Sequence, residues 1–186
     1  MDVRAMRADA VLSVGRILDA ARRVFATGEG TATLDKIARE AGVGIATLYR
    51  HFPNRQSLAR AVYERVFTTE IEPLLIRLED GDAPHDTLLE VAERVVEVAR
   101  RERGLVATLG SLGAVTNELL AGHREEFETL VARGKATGHL RQDLTGMDVP
   151  QLLAMFASGG SALDVDRATR RRYLSMMLDG LRPAVT

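Results

Sequence analysis

The chain has 186 residues, of which 46% are hydrophobic and 27% charged, a composition typical of a globular protein that buries a substantial core. It contains no cysteine, which excludes disulfides, thiolate metal sites and a cysteine nucleophile. The formal net charge is -1, but residues 1–65 hold 11 Lys and Arg against 7 Asp and Glu, whereas the remainder holds 14 against 19. A basic N-terminal third is the pattern expected of a chain that binds phosphate groups at one end, and chance partition of the charges is the alternative.

The sequence indicates neither export nor a membrane span. Its first twenty residues interleave arginine with aspartate, and no stretch approaches the roughly 18 apolar residues of a spanning helix. We therefore expect a cytoplasmic protein.

Aromatic residues are sparse and good helix formers fill most windows, so the sequence predicts an all-α fold of about nine helices. The first helix carries apolar residues at three- and four-residue spacing from Val11 to Phe25 and is predicted to end at Gly28. A long fourth helix begins near Arg55, and Pro73 is expected to kink it. Further amphipathic helices are predicted at residues 88–101, 105–120, 125–137, 149–158 and 168–181.

The segment from Thr33 to Phe52 fits two short helices joined by a tight turn. Thr33 is expected to cap the second helix, and Gly42 is expected to supply the positive φ that a sharp turn needs. Val43, Leu48 and Phe52 are predicted to hold the third helix from beneath. The residues that this arrangement leaves facing outward are Ile45, Ala46, Thr47, Tyr49, Arg50 and His51.

An outward face of this composition suits a DNA groove. The candidates for phosphate contact share a hydrogen-bond donor near the turn, and they are Thr33, Thr47, Tyr49, His51 and Arg55. Ile45 and Ala46 can contact a thymine methyl group, and Arg50 can bind either a base edge or the DNA backbone. The segment therefore predicts a helix-turn-helix that binds double-stranded DNA.

The run IAREAGVGIATLYRHF at residues 37–52, continued by Pro53, resembles the helix-turn-helix of the tetracycline-repressor (TetR) family, and the resemblance extends from about Val14 to Val66. The resemblance implies a DNA-binding domain at residues 1–53 with three helices. It also implies a helical effector-binding and dimerisation domain at residues 54–186, linked to the first domain by the long fourth helix.

The resemblance also implies roles for individual residues. The five phosphate-contact candidates correspond to phosphate-contacting positions of the family, and Ile45, Ala46 and Arg50 lie where family members meet bases. Gly44 stands where a Ser or Thr cap is frequent in the family, although glycine is an acceptable N-cap. Because two of the base-facing residues are apolar, DNA shape is expected to gain weight in recognition.

An effector pocket is expected among the middle helices. Its candidate lining residues are Phe67, Leu88, Val95, Leu109, Leu112, Thr116, Phe127, Leu130 and Met155. For each of them an ordinary core or surface position is the alternative. The scarcity of aromatic residues favours a small apolar or aliphatic effector over a flat polyaromatic one.

Two apolar stripes lie near the end of the sequence. They comprise Leu152, Leu153, Met155, Phe156 and Leu163, followed by Tyr173, Leu174, Met177, Leu178 and Leu181. We expect the last two helices to pair across a two-fold axis into a four-helix seam, which would make a homodimer. The alternative is that both stripes cover the core of a monomer.

Together, the residues and the resemblance predict a sequence-specific transcriptional regulator, acting as a homodimeric repressor that a small-molecule effector releases from a pseudo-palindromic operator. The alternatives are an activator, an effector-independent DNA-binding regulator and a protein-interaction module that does not bind DNA. The sequence lacks a glycine-rich phosphate loop, a G-x-S-x-G motif and an H-E-x-x-H motif, so we expect no catalysis, metal or cofactor.

Overall fold

The structure is a computed structural model that describes residues 3–27, 33–80, 85–109, 112–160 and 165–183, with the side chains of 3–11, 78–80, 112 and 158–160 excepted. The predictions that concern Gly28, Leu163 and the side chains of Val11 and Leu112 lie outside the described residues.

The described residues form helices and no strand, so the all-α prediction is confirmed. In chain order the helices are α1 (Val3–Ala26), α2 (Leu34–Ala41), α3 (Ile45–His51), α4 (Arg55–Val66), a π-helical segment (Phe67–Ile71), α5 (Glu72–Asp80), α6 (His85–Arg101), α7 (Arg103–Thr108), α8 (Leu112–Ala121), α9 (Arg124–Ala136), α10 (Asp148–Gly160) and α11 (Arg167–Asp179).

The predicted long fourth helix changes its hydrogen bonding midway. It is α-helical up to Val66, π-helical from Phe67 to Ile71 and α-helical again from Glu72. Pro73 has no backbone N–H to donate to the carbonyl four residues earlier, so the irregularity falls in the turn before the proline. The sequence therefore indicated the irregular region correctly but named the residue that follows it.

The segment from 105 to 120, for which the sequence predicts one helix, contains two. α7 ends at Thr108 and α8 begins at Leu112. Leu105 and Leu109 are buried in the core of the N-terminal unit, whereas the contacts of residues 113–186 assign them to the C-terminal unit.

The contacts divide the chain into two compact units. The N-terminal unit comprises Met1–Val66 and Arg101–Leu112, and the C-terminal unit comprises Phe67–Arg100 and Gly113–Thr186. Packing thus places α4 and α7 with the first three helices. The predicted domain boundary after residue 53 concerns DNA binding and stays a prediction.

The N-terminal unit has one core, to which α1, α2, α3, α4 and α7 contribute. Its buried residues include Ile17, Ala20, Ala21, Val24, Phe25, Ile37, Ala38, Leu48, Leu58, Ala59, Val62, Leu105 and Leu109. Because α2 and α3 are only eight and seven residues long, isolated helices of their length would be marginal in water. Their positions are therefore set by this core.

In the C-terminal unit, α6 is amphipathic and α9 packs near α5. The buried residues of α6 are Leu88, Leu89, Val91, Ala92, Val96 and Val98, and those of α9 include Phe127, Leu130 and Val131. Within the described residues, no helix has the length and apolar character needed to cross a bilayer.

Candidate nucleic-acid interface

The second helix begins and ends as the sequence predicts. The Thr33 hydroxyl oxygen accepts a hydrogen bond from the Lys36 backbone N–H at 3.2 Å, which makes Thr33 the N-cap of α2. Gly42 ends the helix with φ at 65°, and the next N–H, that of Val43, donates to the Ala38 carbonyl at 3.0 Å. The Thr33 hydroxyl hydrogen is not used in the cap and can still be donated to a phosphate.

The underside of α3 is anchored in the core of the N-terminal unit. Leu48 is fully buried, Phe52 is buried, and Val43 is half-buried against the same core. The Phe52 N–H also closes the helix by donating to the Leu48 carbonyl at 2.8 Å. These three residues hold α3 from beneath, as predicted.

The opposite face of α3 is open to solvent. Tyr49 is 50% exposed, Ile45 is 36% exposed, and Ala46, Arg50 and His51 are also exposed. Thr47, the remaining predicted contact on this helix, is half-buried. A solvent-exposed tyrosine and isoleucine beside an arginine and a histidine form the surface that the sequence predicts for DNA.

Arg50 is held along α3 by two local hydrogen bonds. Its Nη2 donates to the Thr47 hydroxyl oxygen at 3.0 Å, and its Nε donates to the Ala46 carbonyl at 3.4 Å. The guanidinium therefore lies beside Ala46 and Thr47 in the N-terminal half of the helix. This arrangement orients Arg50 without committing it to a base edge or to a phosphate.

Gly44 is the N-cap of α3, at the position where a Ser or Thr cap is frequent in the family. Its backbone is extended, with φ at -67°, and it provides no side-chain cap. A Cβ at this position would meet only the Thr47 hydroxyl oxygen, at 3.9 Å, so a serine or threonine would fit.

Arg55 lies at the start of α4, but its guanidinium is engaged within the N-terminal unit. Its Nη2 donates to the Thr108 hydroxyl oxygen at 3.1 Å, and its Cζ lies 5.7 Å from the centre of the Phe25 ring. These contacts from α1 and α7 could not be read from the local sequence. The phosphate contact assigned to Arg55 stays a prediction, and the observed geometry does not favour it.

Much of the positive charge of the N-terminal unit is paired internally. The ion pairs of this unit include Arg22–Glu102, Arg101–Glu102, Arg23–Glu40, Arg60–Glu64 and Arg65–Asp19. Within the part of the chain that the structure describes, Lys36, Arg39 and Arg50 form no ion pair. Lys36 and Arg39 lie three residues apart on α2, away from its buried Ile37, and the sequence reasoning missed them as candidates for phosphate contact.

The candidate effector-pocket residues divide between different locations. Phe67, Leu88, Phe127 and Leu130 are buried in the C-terminal unit, and Val95 and Thr116 are half-buried there. Leu109 is instead part of the N-terminal core, where its carbonyl accepts a hydrogen bond from Gln56 Nε2. Met155 is 71% exposed, because α10 turns Leu153 and Ala157 inward, so Met155 lies at the surface and does not join the buried candidates. The side chain of Leu112 is outside the described residues.

The two apolar stripes of the last helices are divided between core and surface. Leu153, Leu174, Leu178 and Leu181 are buried within the chain. Leu152, Phe156, Tyr173 and Met177 are half-buried, and Met155 is 71% exposed. Met176, which lies beside the second stripe on α11, is 61% exposed. One side of each stripe is therefore buried, and the other side remains an apolar surface.

A capped helix, a glycine turn and a short second helix with a buried underside and an exposed face define the helix-turn-helix class of DNA-binding proteins. Residues 17–62 match the family described as bacterial regulatory proteins, tetR family. Residues 83–183 match the C-terminal domain described as transcriptional regulator SbtR-like. The chain belongs to the tetR family of bacterial regulatory proteins, and its structural neighbours are transcriptional regulators.

Individual relatives agree with this assignment. The chain is 33% identical to the TetR transcriptional regulator SCO0520 from Streptomyces coelicolor, with a TM-score of 0.53 over 92% of this chain and 99% of that one. It is 28% identical to a TetR regulatory protein from Mycobacterium vanbaalenii, with a TM-score of 0.62 over 95% and 99%. The HTH-type regulator Rv1255c of Mycobacterium tuberculosis is 29% identical over 65% of this chain, and the chain spans 60% of the length of that relative.

Proposed function

We propose that the protein represses transcription as a homodimer that binds a pseudo-palindromic operator and is released from it by a small-molecule effector. The proposal rests above all on α3, whose exposed Tyr49, Arg50 and His51 stand on a fully buried Leu48. Membership of the tetR family supports the class of activity.

The chemistry of the exposed face divides DNA binding into two tasks. The hydroxyl groups of Thr33 and Tyr49 and the imidazole of His51 can donate to phosphate oxygens, which positions the helix. Ile45 can contact a thymine methyl group in the major groove, and Arg50 can donate to a base edge beside it. With one arginine and two apolar residues as readers, recognition would also depend on DNA shape.

The surface of α10 and α11 supports the proposed dimer. Met155 and Met176 are large apolar residues that solvent would otherwise cover, and exposed apolar groups of this size are typical of interfaces. An open groove beside them is lined by Leu144, Leu152, Met177 and Leu181 together with the Arg141–Asp143 ion pair. A symmetric pair of these helices would present two copies of α3 to two half-sites.

The effector site is proposed in the core of the C-terminal unit. Phe67, Leu88, Phe127 and Leu130 supply apolar surface there, and Thr116 supplies a hydroxyl group for orientation. An effector that binds more tightly to the conformation unsuited to DNA would weaken operator binding. By thermodynamic linkage, the loss of operator affinity equals the effector's preference for that conformation, typically about 5- to 150-fold. The cytoplasmic location expected from the sequence stays a prediction.

Selection of duplexes from a random library by the full-length protein tests DNA binding and symmetry together. We expect an enriched pseudo-palindrome whose half-sites are spaced by about 10 base pairs or a multiple of that distance. The binding constant should fall linearly on a logarithmic salt axis, with a slope of about -0.9 for each phosphate neutralised. In light scattering, the particle should have twice the 20.3 kDa mass of one chain.

Different failures would remove different parts of the proposal. No enriched sequence and no salt-dependent binding would contradict DNA binding, and a 20.3 kDa particle at micromolar concentration would contradict the dimer. Reporter transcription from the selected operator, measured with and without the protein, tests the sign of regulation, and increased transcription would contradict repression.

A further inference from the structure

Glu102 is the one charged side chain that is buried among the described residues, with 3% of its surface exposed. It lies at the junction between α6 and α7 and is the N-cap residue of α7. A buried carboxylate is costly unless charged donors compensate it. The burial of Glu102 therefore requires charged hydrogen-bond donors around its carboxylate in the N-terminal unit.

Two arginines compensate this carboxylate. Arg22 of α1 donates to Glu102 Oε1 from Nε at 3.0 Å and from Nη2 at 2.7 Å. The neighbouring Arg101 donates to the same oxygen from Nε at 2.9 Å. Because Arg22 is 80 positions away in the sequence, the contact ties α7 to a helix of the DNA-binding region.

The apolar packing around this ion pair also joins α7 to α1. Leu105 and Leu109 lie in one core with Ile17 and Ala21 of α1. Thr108 and the Leu109 carbonyl also bond the first turn of α4. The start and the end of α7 are thus both fixed to the helices that form the N-terminal unit.

From α1 the contacts continue to the helix-turn-helix. α1 packs closely on α2, and the Ile37 and Ala38 side chains of α2 are buried in the shared core. Arg23, next to Arg22 on α1, also pairs with Glu40 at 2.7 Å, two residues before the turn at Gly42. That second pair is largely exposed and contributes little energy by itself, so the core contacts carry most of the coupling.

We propose that Glu102 is a positioning residue for DNA binding. Its ion pair with Arg22 sets the position of α1, and the packing of α1 on α2 then sets the orientation of α3. The proposal rests on the proposed DNA-binding function. The residue that sets this position is the N-cap of α7, far in sequence from every residue that would touch DNA. Loss of the Glu102 charge should therefore misplace α3 even though α3 itself is unchanged.

The test compares Glu102→Gln with Glu64→Gln in the full-length protein on the selected operator. Glu64 is the matched control because it pairs with Arg60 in the same unit while 40% of its side chain stays exposed, against 4% for Glu102. Each substitution removes one negative charge from the DNA-binding unit, which by simple electrostatics would leave affinity equal or raise it. We expect Glu102→Gln to bind about tenfold more weakly, and Glu64→Gln to bind within about twofold of the unaltered protein.

A spectroscopic measurement separates positioning from loss of folding. In methyl NMR spectra, Glu102→Gln should shift the δ1 methyl resonances of Ile37 and Ile45 on α2 and α3, and Glu64→Gln should leave both in place. A shift confined to Ile17, with operator affinity equal to that of the control, would overturn the proposal.

Arg22→Lys keeps the test decisive if Glu102→Gln does not fold. The lysine retains the charge but not the two-donor geometry, so we expect a loss of about threefold in operator affinity. A folded Arg22→Lys protein with unaltered affinity would overturn the positioning role. If the unaltered protein and the Glu64→Gln control bind no duplex, the proposed function fails instead.

Discussion

The adjacent residues Leu48 and Tyr49 should give opposite phenotypes when each is replaced by alanine. Leu48 is fully buried beneath α3, so Leu48→Ala removes apolar contacts and leaves a cavity, for which measured costs run from about 2.7 to 5.0 kcal/mol. Because Leu48 lies in a core that has half-buried residues at its edge, Val43 among them, part of the space can close, and we expect about 3 kcal/mol of lost unfolding free energy. Tyr49 is 50% exposed, and its replacement should change stability by no more than about 0.5 kcal/mol.

The same two variants should differ in DNA binding. Tyr49→Ala removes a hydroxyl donor whose bond to a charged phosphate is worth about 1.5–3 kcal/mol, which corresponds to at least about tenfold in affinity. Urea unfolding followed by circular dichroism measures the first effect, at one protomer concentration because dimerisation contributes to stability. Fluorescence anisotropy of a labelled operator measures the second. If Leu48→Ala lowers the free energy of unfolding by less than about 1 kcal/mol, the assignment of the buried and exposed faces is refuted. A Tyr49→Ala loss of unfolding free energy equal to that of Leu48→Ala would also refute it.

Three further outcomes are expected. Gly42→Ala should lower the free energy of unfolding in urea by about 1–2 kcal/mol, because φ at this position is 65°. Gly44→Ser should raise it by a few tenths of a kcal/mol, about the advantage of a serine cap over a glycine cap. Equal changes in the free energy of unfolding for the two variants would contradict the turn geometry. His51→Ala should weaken binding to every duplex alike in anisotropy titrations, whereas a change in sequence preference would contradict a phosphate role. The backbone N–H of Thr169 donates to the Asp166 carboxylate and holds the pKa of that carboxyl below its usual range. The ionised carboxylate therefore stabilises the folded protein above the unfolded-state pKa of about 3.9, and this stabilisation is lost as the pH falls through the lower folded-state pKa. Asp166→Ala should therefore lower the melting temperature at pH 7 by more than at pH values below about 3.9, and a pH-independent difference would contradict this reasoning.

The local signals of the helix-turn-helix were sufficient to predict its construction. A capping hydroxyl needs only its own helix, and a left-handed glycine needs only its own turn, so Thr33 and Gly42 could be assigned without knowledge of the rest of the fold. Leu48 and Phe52 followed from helical periodicity, which determines which side of a short helix can be buried. These are the features that the structure confirms most directly.

The features that the sequence could not supply all depend on contacts between distant segments. The local pattern around Arg55 gives no sign of Thr108, and the pattern around Leu109 does not show that this residue joins the N-terminal core. Met155 has the spacing of a core residue, but which side of α10 faces inward depends on its neighbours. Helical periodicity identifies an apolar face without identifying what that face meets.

Photo-crosslinking from the position of Tyr49 tests the central claim most directly. The three tyrosines of the chain include Tyr173 in the C-terminal unit, which offers a matched position far along the sequence from α3. With p-benzoylphenylalanine at one position at a time and the selected operator bound, the account predicts a covalent DNA adduct from position 49 and none from position 173. Retained operator binding with no adduct from position 49, or with equal adducts from both positions, would contradict the claim that the exposed face of α3 contacts DNA.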